Sequence, residues 1–239
     1  MRNQYKIKPG DTLYSLAKKY NTTVEDILYV NPKLNPYNIE VGDMIIMPSN
    51  TKMPPTYSFS AHNISPAELE LMNAMRMTWE QHVFWTRMTI ISMAENLKDV
   101  DLVSARLLQN ATDMGNLFRP YYGDDIANKI TSLFRDHLTI AAQLITAAKN
   151  GDANAAANYE KQWYANADAI ADFLSSINPY YNNQVLRTML HEHLALTKQE
   201  AVERLSGEYA KDIATFDKIE QQALMMADYL SSGIIKVFK

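Results

Sequence analysis

Tyr5-Lys6-Ile7-Lys8-Pro9-Gly10-Asp11-Thr12-Leu13-Tyr14-Ser15-Leu16-Ala17 is the stretch on which the reading of this chain turns. Its first four residues alternate apolar and charged, the period of a short strand with one buried face. Pro9-Gly10 is a turn. Asp11 or Thr12 then caps a helix by accepting from the free N–H groups of its first turn. Leu13, Leu16, Ala17 and Tyr20 follow at the spacing that gathers them on one helical face. Asn21-Thr22-Thr23 interrupts that face. Thr23, with Asp26 three residues on, predicts the start of a second helix carrying Ile27, Leu28 and Val30. Val41-Gly42-Asp43 predicts a turn, and Met44-Ile45-Ile46-Met47 a second strand ended by Pro48. The order is strand, helix, helix, strand.

That order and the signature at 5–17, with Asn31-Pro32 and Val41-Gly42-Asp43 at the later places, resemble the lysin motif, LysM. The resemblance implies a small α+β module, βααβ, over residues 1–49. It implies binding of N-acetylglucosamine-containing glycan, peptidoglycan or chitin-type, in a groove between the first strand–helix loop and the second helix–strand loop. Carried onto this chain, the glycan-binding residues are Gly10, Asp11, Thr12 and Leu13 on one side and Asn31, Asn38 and Ile39 on the other. Backbone N–H groups near a helix start suit N-acetyl and hydroxyl groups, and Leu13 and Ile39 offer apolar walls to an acetyl methyl.

Beyond this module, residues 50–65 read as a linker stiffened by Pro54-Pro55, with His62 solvated in it. Residues 66–239 read as an all-α domain, with helices near 66–97, 101–119, 124–149, 153–177, 183–206 and 208–236. Leu69, Met72, Trp79, Val83, Ile90, Met93 and Leu97 predict the buried face of the first. Long helices with short connections favour antiparallel neighbours, so about six helices built as repeated hairpins form a bundle.

The helical domain echoes itself. Asp136-His137-Leu138 returns as Glu192-His193-Leu194, Gly151-Asp152 as Gly207-Glu208, and Ala171-Asp172-Phe173-Leu174-Ser175-Ser176 as Ala227-Asp228-Tyr229-Leu230-Ser231-Ser232, all at one shift of 56 residues. Gln81-His82-Val83 is a fainter copy 55 residues before Asp136-His137-Leu138, and Pro120-Tyr121-Tyr122 recurs as Pro179-Tyr180-Tyr181. Three hairpins fit the pattern, as a closed bundle or as an open stack. Trp79-Glu80-Gln81-His82, Trp85-Thr86-Arg87, Trp163-Tyr164-Ala165-Asn166-Ala167-Asp168 and Met226-Ala227-Asp228 resemble an uncharacterised helical-repeat family found chiefly in endospore-forming bacteria. That resemblance implies architecture and no activity.

His82, His137 and His193 fall on apolar faces, whereas His191 falls on a polar one. Inward imidazoles beside Asp113, Asp168, Asp172 and Asp228 are candidate metal ligands. The alternative is a histidine–carboxylate pair across each hairpin that fixes helix register, and a pair copied with its hairpin favours it. Neither Glu-x-x-His nor His-Glu-x-x-His occurs at the three histidines, so no metal is assigned. Trp79, Trp85 and Trp163 are core candidates.

Composition bounds the rest. The chain has 239 residues, 47% hydrophobic and 21% charged, which is globular rather than disordered. A net charge of −4 argues against nucleic acid, which needs a basic face. With no cysteine, disulfides, thiolate zinc and a cysteine nucleophile are excluded. No apolar run is long enough to span a bilayer, and Met1 to Lys6 lack the apolar core of a signal peptide. The expectation is a non-catalytic protein of the bacterial cell wall or spore envelope, otherwise cytoplasmic, without cofactor or catalytic residue. Its module would hold glycan, and its helical domain would assemble or bind a protein partner. The alternatives are a LysM-tethered peptidoglycan hydrolase and a histidine–carboxylate metal-binding bundle.

Overall fold

A computed structural model describes residues 3–8, 11–22, 24–31, 34, 39, 41–48 and 64–238. The chain divides into two compact units, Met1–His62 and Asn63–Lys239.

In the first unit β1 (Asn3–Lys6) and β2 (Met44–Met47) pair antiparallel, Asn3 opposite Met47 and Lys6 opposite Met44. The ladder runs on past β1. Ile7 N–H donates to the Asp43 carbonyl, and Gly42 N–H donates to the Ile7 carbonyl, both at 2.9 Å. Gly42 stands at φ +106°, a conformation that glycine adopts without a Cβ clash. Between the strands lie α1 (Leu13–Lys19) and α2 (Val24–Val30). Thr12 rather than Asp11 caps α1, in a reciprocal box with Ser15. Ile7, Leu13, Leu16, Ala17, Ile27, Ile45 and Met47 close a small core. The cap expected at Thr23 and linker residues 50–63 lie outside the described residues.

The second unit is all helix: α3 (Pro66–Glu95), α4 (Val100–Lys149), α5 (Ala153–Ile177), α6 (Asn183–Leu205) and α7 (Tyr209–Phe238). Ser65 caps α3 in a box with Glu68, and Pro66 takes the first turn, where its missing N–H is not needed. The two helices expected over 101–149 meet inside α4, where Gly123 (φ 80°, ψ −179°) breaks the helical path three residues after Pro120. No helix among the described residues is long and apolar enough to cross a membrane.

Burial in α3 departs from the expected face. Leu71, Met75, Trp79, Val83 and Ile90 are buried, whereas Leu69 and Leu97 are 50% and 42% exposed. α3 packs against α4 and α7 and also touches α6, so its buried face is set by several neighbours at once. Leu97 lies past the helix end, which is fixed by Asn96 in the left-handed region.

Three helix ends are alike. Asn96, Gly151 and Gly207, each fourteen residues after a histidine, all have positive φ. The next N–H in each case, from Leu97, Asp152 and Glu208, donates back to Ser92, Ala147 and Glu203 carbonyls at 2.9, 3.0 and 2.9 Å. This is the Schellman closure, which satisfies carbonyls that the helix end would otherwise leave open. The partner helices match as well: Ala111, Ala167 and Ala223 are buried, as are Met114, Ile170 and Met226, and Phe118, Leu174 and Leu230.

Candidate functional site

The sequence-derived glycan residues occupy unlike settings. Asp11 is the hub of the turn between β1 and α1. Its Oδ2 accepts from the Tyr5 hydroxyl and from the Lys8 backbone N–H, both at 2.8 Å. The Lys8 N–H, followed by the Tyr5 hydroxyl, holds the Asp11 carboxyl below the usual range. The same bond pushes the Tyr5 phenol up to about 12. Thr12 is exposed. Ile39 is half-buried against the small core.

Two of the expected contact residues have side chains engaged within the fold. Leu13 is 5% exposed and belongs to the core, so its side chain is not an open wall of a groove. Asn31 spends its whole amide on the chain itself. Its Nδ2 donates to the Ile27 and Ile46 carbonyls at 2.7 Å each, and its Oδ1 accepts from Ile46 N–H at 2.8 Å. Asn31 thereby ties the end of α2 to β2. Gly10 and Asn38 lie outside the described residues.

In the helical unit His82, His137 and His193 are each 3% exposed and line one cavity of about 300 Å3. Their partners are amides rather than the expected carboxylates. His82 Nδ1 meets Asn110 Oδ1 at 3.1 Å, His137 Nδ1 meets Asn166 Oδ1 at 2.8 Å, and His193 Nδ1 meets Gln222 Oε1 at 3.0 Å. Each amide also donates to the carbonyl four residues before its histidine. Asn110 reaches Thr78 at 3.0 Å, Asn166 reaches Leu133 at 3.1 Å, and Gln222 reaches Met189 at 2.8 Å. With the amide nitrogen committed to a carbonyl, the amide oxygen faces the ring and accepts. The network therefore assigns the proton to Nδ1 and leaves Nε2 with a lone pair.

Burial drives all three histidines toward the neutral form. It takes His82 down to about 3, aided by its neighbouring histidines, and His137 and His193 to about 4. An amide suits such a ring better than a carboxylate, because it accepts from Nδ1 without adding a buried charge. At His137 the Nε2 lone pair accepts from the Trp163 indole at 3.1 Å. The His82 and His193 ring centroids are 5.5 Å apart, and the bonds found for these two rings among the described residues are all at Nδ1; the Trp79 indole packs edge-on against both rings, at 5.4 and 6.1 Å, with its N–H unbonded.

The four aspartates expected beside these rings pair with arginines elsewhere. Asp228 takes Arg76 and Asp113 takes Arg106. Asp168 and Asp172 share Arg187, and Asp168 also meets His191, at 2.9 Å. Among the described residues no three histidine or acidic side chains come together at a metal-holding spacing.

Sequence reasoning missed a buried ionic cluster. Arg87 Nη1 donates to Glu200 at 2.5 Å and to Asp212 at 2.6 Å, with the carboxylate side chains 2% and 1% exposed. Arg204 approaches Asp212 at 3.5 Å and Glu95 at 3.0 Å. Thr215 donates to Glu203 at 2.7 Å. Burial pushes Glu200 up to about 7 despite the attraction of Arg87, and the like charges of Asp212 and Glu203 add to the rise. The members come from positions 87, 95, 200, 203, 204, 212 and 215, and no local motif joins them.

The LysM domain family matches residues 5–48. The chain is similar to "Secreted LysM effector ECP6" of Passalora fulva, 37% identical over 65 residues, 27% of this chain and 28% of that protein. It is similar to "Putative L,D-transpeptidase YkuD" of Bacillus licheniformis, 43% identical over 44 residues, 18% of this chain and 27% of that protein. It is also similar to the "Endolysin" of Bacillus phage PZA, 49% identical over 43 residues, 18% of this chain and 17% of that protein. The chain thus spans at most 28% of the length of these curated relatives. No solved structure matches it. Strand order, turn chemistry and family match agree that residues 5–48 are a LysM domain.

Proposed function

We propose that residues 5–48 hold N-acetylglucosamine-containing glycan, peptidoglycan or a chitin-type polymer, and so attach the chain to a bacterial cell wall or spore envelope. The LysM match over those residues carries the reading. Similar stretches occur in proteins named as an effector, a transpeptidase and an endolysin, which supports a shared binding role rather than a shared reaction. Thr12 and Ile39 are the contact residues, together with Gly10 and Asn38 from the family resemblance. Asp11 positions the turn, and Leu13 and Asn31 support the loops from within the fold.

The helical unit is non-catalytic in this reading and serves assembly or partner binding. It is three copies of one hairpin with a period of about 56 residues, joined to a domain of 1–49 by a linker over 50–65. The three histidine–amide sets and the three like helix ends support that reading. Glu200 and Asp212 are sealed and share Arg87, so this carboxylate pair is not disposed to cut a glycan.

Co-sedimentation of the full chain with purified peptidoglycan and with chitin tests the proposal, with a chain lacking residues 1–62 as control. The full chain is expected in the pellet and the shortened one in solution. Asp11→Ala and Ile39→Ala should lower the bound fraction several-fold while the helical circular dichroism stays unchanged. Retention of the shortened chain would move binding to the helical unit and overturn the reading.

A further inference from the structure

The cavity that His82, His137 and His193 line has a composition that selects a ligand. Most of its wall is aliphatic and small, including Leu138, Leu144, Ala156 and Ala201. At the rim Lys198 and Glu160 pair at 2.6 Å and neutralise one another. Its volume of about 300 Å3 is roughly twice that of an apolar cavity that admits benzene, so about ten to twelve heavy atoms fit.

The polar lining is specific. The ring atoms of His82 and His193 that remain unbonded are Nε2 lone pairs, and both rings are 97% removed from solvent. Neither ring can turn to present an N–H instead, because Asn110 and Gln222 hold the Nδ1 protons and are themselves anchored to carbonyls. Thr89, 3% exposed, also borders the cavity, and its hydroxyl has no partner. The two Nε2 lone pairs are open to the cavity, and the Thr89 hydroxyl is sealed beside it without a partner, so a hydrogen-bond donor placed here gains a bond that the chain itself does not supply. Water can serve these few polar groups but leaves the aliphatic wall unmatched, whereas a ligand with one hydroxyl and an apolar body serves both. An anion meets only lone pairs at the histidines, and a cation would have to leave water for an apolar wall.

We propose that this cavity is a binding site for an uncharged, mainly apolar alcohol or phenol, which donates its hydroxyl hydrogen to Nε2 of His82 or His193. His137 does not take part, because Trp163 already occupies its Nε2. The site is independent of the glycan reading.

Calorimetric titration of the full chain with 4-butylphenol and with its methyl ether 4-butylanisole tests the donor requirement. One equivalent of the phenol should bind, and the ether, which keeps the apolar body and lacks the O–H, should bind roughly ten-fold more weakly or less. With 15N-labelled histidine, the Nε2 resonance of His82 or His193 should move on addition of the phenol while that of His137 stays. Ala156→Leu narrows the cavity without touching the histidine–amide sets. It should abolish phenol binding with the melting temperature held or raised. Equal affinity for phenol and ether, no binding of the phenol, or binding that survives Ala156→Leu would each overturn the proposal.

Discussion

Asn31 and Asn110 are both amides that grip a backbone carbonyl, in unlike surroundings. Asn31 joins the end of α2 to β2, fifteen residues on, in a unit with seven buried apolar residues in its core among those described. Asn110 joins α4 to α3 and turns a histidine in the process, inside a core that runs through all five helices of its unit. A small core leaves little surplus stability, so the LysM domain depends on short polar ties to hold its loops. In the helical unit packing supplies the stability, and the polar groups decide which turn of one helix faces which turn of the next.

The contrast breaks hardest at Arg87. Arg87→Met leaves Glu200 and Asp212 sealed with too little positive charge, and losing one partner of a buried pair costs about 3–5 kcal/mol. All three tryptophans lie in the helical unit, so their emission during urea unfolding reports on that unit alone. A loss below about 1 kcal/mol would mean that water reaches the cluster and offsets the missing charge.

Acid should act next most strongly, again on the helical unit. The three buried histidines are neutral in the fold and ordinary when unfolded, so the unfolded chain binds more protons below pH 6.5. Their contribution is present above pH 6.5 and is lost as pH falls toward their folded values of about 3 to 4. At pH 5.5 that loss is about 1.4 kcal/mol for each ring. Glu200 opposes it: its raised value favours the fold at low pH and is lost as pH rises through about 7. The net expectation is a fall of about 2–3 kcal/mol in tryptophan-monitored stability between pH 7 and pH 5.5. A rise over that interval would show that the histidines are hydrated.

Asn31→Ala sharpens the contrast at the smallest scale. It removes three hydrogen bonds and should cost the LysM domain about 1–3 kcal/mol. Faster hydrogen exchange at the Ile46 amide, with unchanged tryptophan unfolding, is the expected result. Equal loss in both units would mean that they unfold together.

Residues 5–17 made the LysM fold readable because each step there is local: an alternation, a turn, a cap and a stripe. The candidate site was less readable, since Asn31 looks like a surface loop residue until β2 closes over it, and the apolar stripe that carries Leu13 does not say whether its side chain faces the core or a groove. In the helical unit the histidines stood out through recurrence, but their partners did not. Asp residues drew attention as ligands, whereas Asn110, Asn166 and Gln222 recur at the same 56-residue shift and were the available signal. Leu69 is exposed because a helix packed by several neighbours does not bury the stripe that its own period suggests. The Arg87 cluster depends on folding to bring residue 87 to residues 200 and 212, and periodicity carries no trace of it.

The like helix ends bear on how this chain tolerates changes in length. His137 and Asn166 are 29 residues apart, as are His193 and Gln222, whereas His82 and Asn110 are 28 apart. From each histidine to its left-handed residue the count is identical, so the missing residue falls between Asn96 and Asn110. A deletion inside either helix would rotate everything beyond it by about 100° and swing the amide away from its ring. The short stretch just after the left-handed residue can shed a residue while the helix that follows re-phases. Each hairpin thus works as a ruler with one adjustable joint, and evolutionary gaps in such chains should gather there while the helices on either side keep their length.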